Sequence, residues 1–199
     1  MTTLFDVTHT ASAPAPAGAP PRTPRVAGID VSLTSTGIAT LGGTTTIPTK
    51  GKRADSIAQR RARLRHITDT VLTEVGHVDL AVIEGPSHHS VGGSVWDRGG
   101  LWWLIVDGLT ARDIAVAVMP PQCRAKYATG SGAARKEAVM EAAQRRYGAL
   151  CETDDEADAL ILRAAGLDWL GVPLTEVPPG HRVALTGCQW PDLVPAVAR

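Results

Sequence analysis

RVAGIDVSLTSTGIATL, residues 25 to 41, reads as two strands and the turn between them. Arg25–Val31 is an apolar, β-branched run that ends in an aspartate, Asp30, the pattern of a buried strand. A Ser/Thr-rich turn follows, then a second strand over Thr36–Leu41. Thr44–Pro48 supplies a third, with Gly42-Gly43 placed as the hairpin turn between them. Three antiparallel strands therefore open the fold.

Outward from that opening the period changes. Ala54–Gly76 reads as a helix whose apolar stripe is Ile57, Leu64, Ile67, Val71 and Val75, with Gly76 as its stop. Asp79–Glu84 (DLAVIE) is another short buried strand, again closed by a carboxylate, and 85–94 reads as a loop. Trp96–Arg112 is expected to be a helix with Trp103, Val106 and Leu109 or Thr110 along one side. Ile114–Met119 is a buried strand ended by Pro120-Pro121, and Arg135–Tyr147 and Asp154–Leu170 are two further helices. Beyond Gly171 one strand is expected, His181–Leu185, as an appended edge element. The order β-β-β-α-β-α-β-α-α predicts an α/β fold: a mixed five-stranded sheet, antiparallel first and parallel afterwards, with helices on both faces. Residues 1–24, rich in Ala, Pro and Thr, are expected to be a flexible leader; 25–170 form the globular domain and 171–199 a C-terminal extension.

Composition narrows the classes. Of 199 residues 44% are hydrophobic, enough for a packed core and too many for a disordered chain. The apolar runs fall far short of the roughly 20 residues that span a bilayer, so no membrane partner is expected. Three widely spaced cysteines without a CxxC pair argue against a zinc ribbon or a disulfide framework and fit a reducing cytoplasm. The formal net charge is zero, but it is unevenly spread. Lys50, Lys52, Arg53, Arg60, Arg61, Arg63 and Arg65 crowd one segment, while Asp154, Asp155, Glu156 and Asp158 crowd another.

The acids carry the chemistry. Asp30 and Glu84 each end a strand, and parallel neighbours present such ends to one edge of a sheet, where ligands bind. Asp155 and Asp158 stand three apart on one helix and share a face. If that helix packs against the sheet edge, four carboxylates converge, which is costly unless a cation neutralises them. Hard oxygen donors select Mg²⁺, with Mn²⁺ able to substitute. Two such ions suit phosphodiester hydrolysis, with Asp30 shared, Glu84 on one side and Asp155 and Asp158 on the other. Taken singly, a strand-ending Asp can be a turn former and an acidic helix start can simply complement the dipole. The order of all four is what is specific.

GIDVSLTSTGIA at Gly28–Ala39, VIEG at Val82–Gly85, ATGSGAARKEAV at Ala128–Val139 and DEADALIL at Asp155–Leu162 together resemble the RuvC family of Holliday junction resolvases. The resemblance spans about Arg25 to Gly166. It implies an RNase H-like fold, a homodimer, and paired nicking of four-way DNA junctions with Mg²⁺. It also places the catalytic acids at Asp30, Glu84, Asp155 and Asp158. Arg124 or Lys126, and Lys136, match the family's basic segment, and the Gly130–Gly132 turn would let the backbone approach a phosphate. The helix over 96–112 matches the family's dimer contact, where Trp102 and Trp103 would either anchor the interface or fill the monomer's own core. Two departures stand out. Val31-Ser32 replaces the usual Pro-Gly after the first aspartate, and Gly85-Pro86-Ser87-His88-His89 stands where the family carries a wedging aromatic.

Three rivals share some of these features. A sugar kinase or actin-like ATPase has a similar first phosphate loop, but a second glycine-rich motif and the length for two lobes are missing here. Another RNase H-like nuclease, acting on flaps, replication intermediates or RNA–DNA hybrids, would use the same acids. A junction-binding protein without catalysis would not need the intact acidic set.

Overall fold

The computed structural model describes residues 22–86, 95–148 and 151–192. Most of the expected leader and the loop histidines His88 and His89 lie outside the described residues. Strand β1 (Val26–Asp30) is central, antiparallel to β2 (Ser35–Thr40) and parallel to β4 (Leu80–Glu84). β3 (Gly43–Pro48) completes the hairpin on one side, and β5 (Ala115–Met119) runs parallel to β4 on the other. The order β3-β2-β1-β4-β5 is the mixed sheet expected from the sequence. Every residue of β1 is buried, as a continuous apolar run must be in a strand covered on both faces. The turn from β1 to β2 is tied locally: the Thr36 hydroxyl donates to Ser32 O at 2.7 Å and accepts from Ser32 N.

Helices α1 (Ile57–Val75) and α2 (Val95–Thr110) cover one face. α1 begins at a capping box in which Ser56 and Gln59 satisfy each other's backbone N–H groups. The other face carries α3 (Pro121–Thr129), α4 (Lys136–Tyr147) and α5 (Asp154–Trp169). α5 lies directly on β1, β2 and β4, and glycine sets the separation. A Cβ on Gly28 would stand 2.0 Å from Ala159 O, and one on Gly37 2.1 Å from Asp155 O. From the helix side, a Cβ on Gly166 would meet Val82 at 2.6 Å and Val26 at 2.8 Å. Backbone therefore seats on backbone.

Four sequence expectations need correction. α3 was not expected: Pro120-Pro121 reads as a strand stop, yet Pro121 at the first helical turn starts a helix that Gly130 ends. α2 buries Leu101, Ile105 and Leu109, which is not the apolar side expected through Trp103, Val106 and Leu109, and Trp103 is 66% exposed. On α1, Thr68 and Leu72 join the buried stripe while Ile57 is exposed. His181–Leu185 is not a strand. Pro179 opens a short helix, α6 (Pro179–Arg182), and a 3-10 turn follows over Val183–Gly187. The sheet is extended instead by Gln189, whose backbone exchanges both hydrogen bonds with Val118 at 2.9 Å. This C-terminal segment is packed in: Val177 and Ala184 are buried, Trp190 stacks on Trp169 at 4.7 Å, and Arg182 pairs with the buried Asp168. The three cysteines are free. No helix among the described residues is long and apolar enough to cross a membrane.

Candidate active site

Asp30 closes β1 and Glu84 closes its parallel neighbour β4, so both carboxylates emerge at the same edge of the sheet. Asp155 and Asp158 sit in the first turns of α5, whose start is fixed by Thr153 accepting a hydrogen bond from Glu156 N. The seat of Asp155 on Gly37 holds that end of the helix beside β2, next to Asp30's strand. Asp30 and Asp158 are buried, and Glu84 is half-buried. The indole N–H of Trp102 donates to Glu84 O at 2.9 Å and steadies the end of β4 from the opposite face.

A buried arginine stands inside this group. Arg124, from α3, donates through Nε to Glu84 Oε1 at 2.5 Å, and one terminal nitrogen donates to Asp158 Oδ1. Sequence reasoning placed Arg124 as a DNA contact; its position between two carboxylates had no local signal, because the partners are 40 and 34 residues away. Even with this guanidinium present the site holds excess negative charge. Asp30's carboxyl is pushed well above the usual aspartate range, first by burial and then by Glu84, with Asp155 adding to the effect and Arg124 opposing it.

Among the described residues no three His, Cys, Asp or Glu side chains stand as a ready-made metal cage. The donor chemistry nevertheless fits a hard divalent cation. All four groups offer carboxylate oxygen, and one guanidinium faces them. Asp30, Glu84, Asp155 and Asp158 would be the residues to hold such an ion.

The basic residues surround a groove of about 690 Å³ beside the acids, lined among others by Gly85, Arg124, Gly132 and Lys136. Lys136, the first residue of α4, is ion-paired with Asp154, which raises its ammonium pKa; Asp155 and Asp30 act in the same direction. Lys126 is half-buried on α3. Gly130 has φ 87° and caps α3, its N–H bonded to Lys126 O, and His181 leaves no room there for a Cβ. Gly132 packs against Gln122 O.

An 18% identical Thermus thermophilus RuvC structure superposes with a TM-score of 0.57, covering 77% of this chain and 99% of that one. The fold is that of RuvC. A second structure, T. thermophilus RuvC in complex with Holliday junction substrate, matches at 17% identity and TM-score 0.57 over 78% and 99% of the two chains. No family model and no curated protein matches the chain. Asp30 ends β1, Glu84 ends β4, and Asp155 and Asp158 lie in the first turns of α5, which packs on both strands.

The basic residues crowded between Lys50 and Arg65 are partly engaged within the fold. Arg60 is paired with Asp97, linking α1 to α2, and Arg63 donates to Leu33 O and Thr49 Oγ1, bracing the turn after β1. Lys50, Lys52, Arg53, Arg61 and Arg65 are exposed.

Proposed function

We propose that this chain is a divalent-metal-dependent endonuclease that cuts branched DNA, four-way junctions above all. The observation that supports the reading is Asp30 and Glu84 at the ends of neighbouring parallel strands, with Arg124 bridging Glu84 to Asp158 of α5. Bound Mg²⁺, or Mn²⁺ in its place, would supply Lewis-acid polarisation of a phosphodiester and a water of lowered pKa. In this reading Asp30 is the shared ligand, Glu84 serves one of two ions, and Asp155 and Asp158 serve the other. Lys136 and the Gly130–Gly132 turn would hold the DNA backbone in the adjoining groove, with Lys126 and Arg124 lending charge.

Paired nicks on a symmetric junction need two active sites. Trp96, Trp103 and Leu104 expose apolar surface along α2, and this helix is proposed as the homodimer contact. Free cysteines suit a reducing cytoplasm as the place of action. The test uses end-labelled four-way junction, flap, RNA–DNA hybrid and linear duplex, each with Mg²⁺ and with EDTA. Symmetric metal-dependent nicks on the junction alone are expected. Equal cutting of flaps or hybrids would replace the junction by a broader substrate class, and no cutting of any substrate would end the nuclease reading.

A further inference from the structure

We propose that Arg124 is the resident cation of the acidic site, holding Glu84 and Asp158 when no divalent ion is bound and releasing them when one binds. The inference rests on the nuclease reading above and adds a means by which the site is kept intact while empty and opened on loading. Three observations support it.

The first is position. The guanidinium side chain is 11% exposed and spans from β4 to α5, with Nε on Glu84 Oε1 and a terminal nitrogen on Asp158 Oδ1. Its planar fork lets one side chain serve two carboxylates, where an ammonium would act as a point charge.

The second is charge. With all four carboxylates ionised, as metal binding requires, one guanidinium leaves the site three charges negative. Two divalent ions added to that sum would over-neutralise it, and Glu84 and Asp158 would have to share their oxygens between metal and arginine. Loading and arginine binding therefore compete for the same two carboxylates.

The third is an exit. Arg124 also lines the groove that Gly85, Gly132 and Lys136 border. A released guanidinium turns on its own flexible stem into the cleft proposed for the DNA backbone, where a phosphate oxygen accepts from the same fork. One side chain would thus couple ion loading to DNA contact.

The experiment titrates Mn²⁺ by calorimetry into the wild type, Arg124→Met and Asp30→Asn. Removing one positive charge at contact distance is expected to tighten Mn²⁺ binding on the order of tenfold or more in Arg124→Met. The same variant should melt below the wild type in EDTA and recover more on adding Mn²⁺. An unchanged or weaker Mn²⁺ affinity in folded Arg124→Met overturns the proposal and makes Arg124 a fixed strut, leaving the nuclease reading in place. Absence of Mn²⁺ binding in both wild type and Arg124→Met, or binding unaltered in Asp30→Asn, overturns both. If Arg124→Met does not fold without metal, the wild type alone decides. Its Arg124 Nε–Hε NMR signal, assigned through Arg124→Lys, must shift on titration with Mg²⁺. A signal unmoved at saturating Mg²⁺ refutes release.

Discussion

Gly37→Ala places a methyl group where the carbonyl of Asp155 already lies. The Cβ would sit 2.1 Å from Asp155 O and 2.6 Å from its carbonyl carbon, and real Cβ contacts are essentially never under 3.0 Å. Either β2 or the start of α5 must retreat by about 1 Å. Neither gives way easily: β2 is paired on both sides, and α5 is buried along most of its length. Overpacking of this kind costs about 1–3 kcal/mol, so a loss near the upper end, roughly 5–10 °C in melting temperature, is expected. The catalytic effect should exceed the effect on stability. Asp155 moves with its own backbone while Asp30 and Glu84 stay on the sheet, and a misplacement of ~1 Å in an active site costs on the order of 100-fold in rate. Gly28→Ala is the matched control. Its Cβ meets Ala159 O at 2.0 Å and Arg163 N at 2.5 Å, nearer the middle of the helix. It should lose as much stability but less activity. Thermal unfolding and single-turnover cleavage at saturating Mg²⁺ measure both. Wild-type melting and cleavage in Gly37→Ala would refute the claim that glycine contacts position the acids.

Asp30→Asn should abolish metal-dependent cleavage yet leave the metal-free protein as stable as the wild type or more so, since it removes a buried charge among like charges. Because folding raises Asp30's pKa, the folded state holds that proton more tightly. Its contribution is full below the ordinary aspartate range and is lost as pH climbs through the raised value. Melting in EDTA from about pH 4 to 8 should therefore fall relative to Asp30→Asn, whereas Mg²⁺ affinity should rise over the same window as the carboxylate is freed; parallel melting profiles would contradict both. Trp190→Ala removes the stack on Trp169 and the indole hydrogen bond to Leu185 O, and unfolding should show a loss of about 2 kcal/mol. No loss would mean that the C-terminal segment does not contribute to domain stability. Gly99→Ala, exposed in α2 with nothing within 4 Å of its Cβ, should stabilise by about 0.5–1 kcal/mol in the same assay.

What the sequence made legible follows from range. Strands β1 and β4 announce themselves by continuous apolar runs, and the carboxylates at their ends are counted from those runs alone. The mixed sheet follows from a hairpin-connected opening and then helix-separated strands. Three features were hidden. α3 was masked because Pro120-Pro121 ends a strand and starts a helix at the same place, although Gly130, nine residues after Pro121, is a stop signal that could have revealed it. The buried face of α2 was not legible because three of its large residues, Trp96, Trp103 and Leu104, are apolar yet exposed, which defeats a periodicity argument. The roles of Gly28, Gly37 and Arg124 depend on contacts with α5 and β4 far along the chain, and no window of local sequence contains them.

The same contacts explain how the fold tolerates its candidate active site. Gathering four acids opposes folding, and three sources of positive charge act against that repulsion. The N-terminal end of the α5 dipole is positive, and Asp154, Asp155 and Glu156 are favoured there. Arg124 joins Glu84 to Asp158, and Lys136 joins the rim through Asp154. What remains is borne by packing: Gly28, Gly37 and Gly166, with Ala157, Ala159, Ala164 and Ala165 buried along α5, let two backbones meet at a distance where helix and sheet cannot slide apart without losing dispersion contacts along the whole seam. With these devices in place Asp30 is still held well above the usual aspartate range, by burial first and by Glu84 second. A site held together so firmly and yet left short of positive charge is arranged to take up more cation, and that residual deficit links this packing to the proposed metal chemistry.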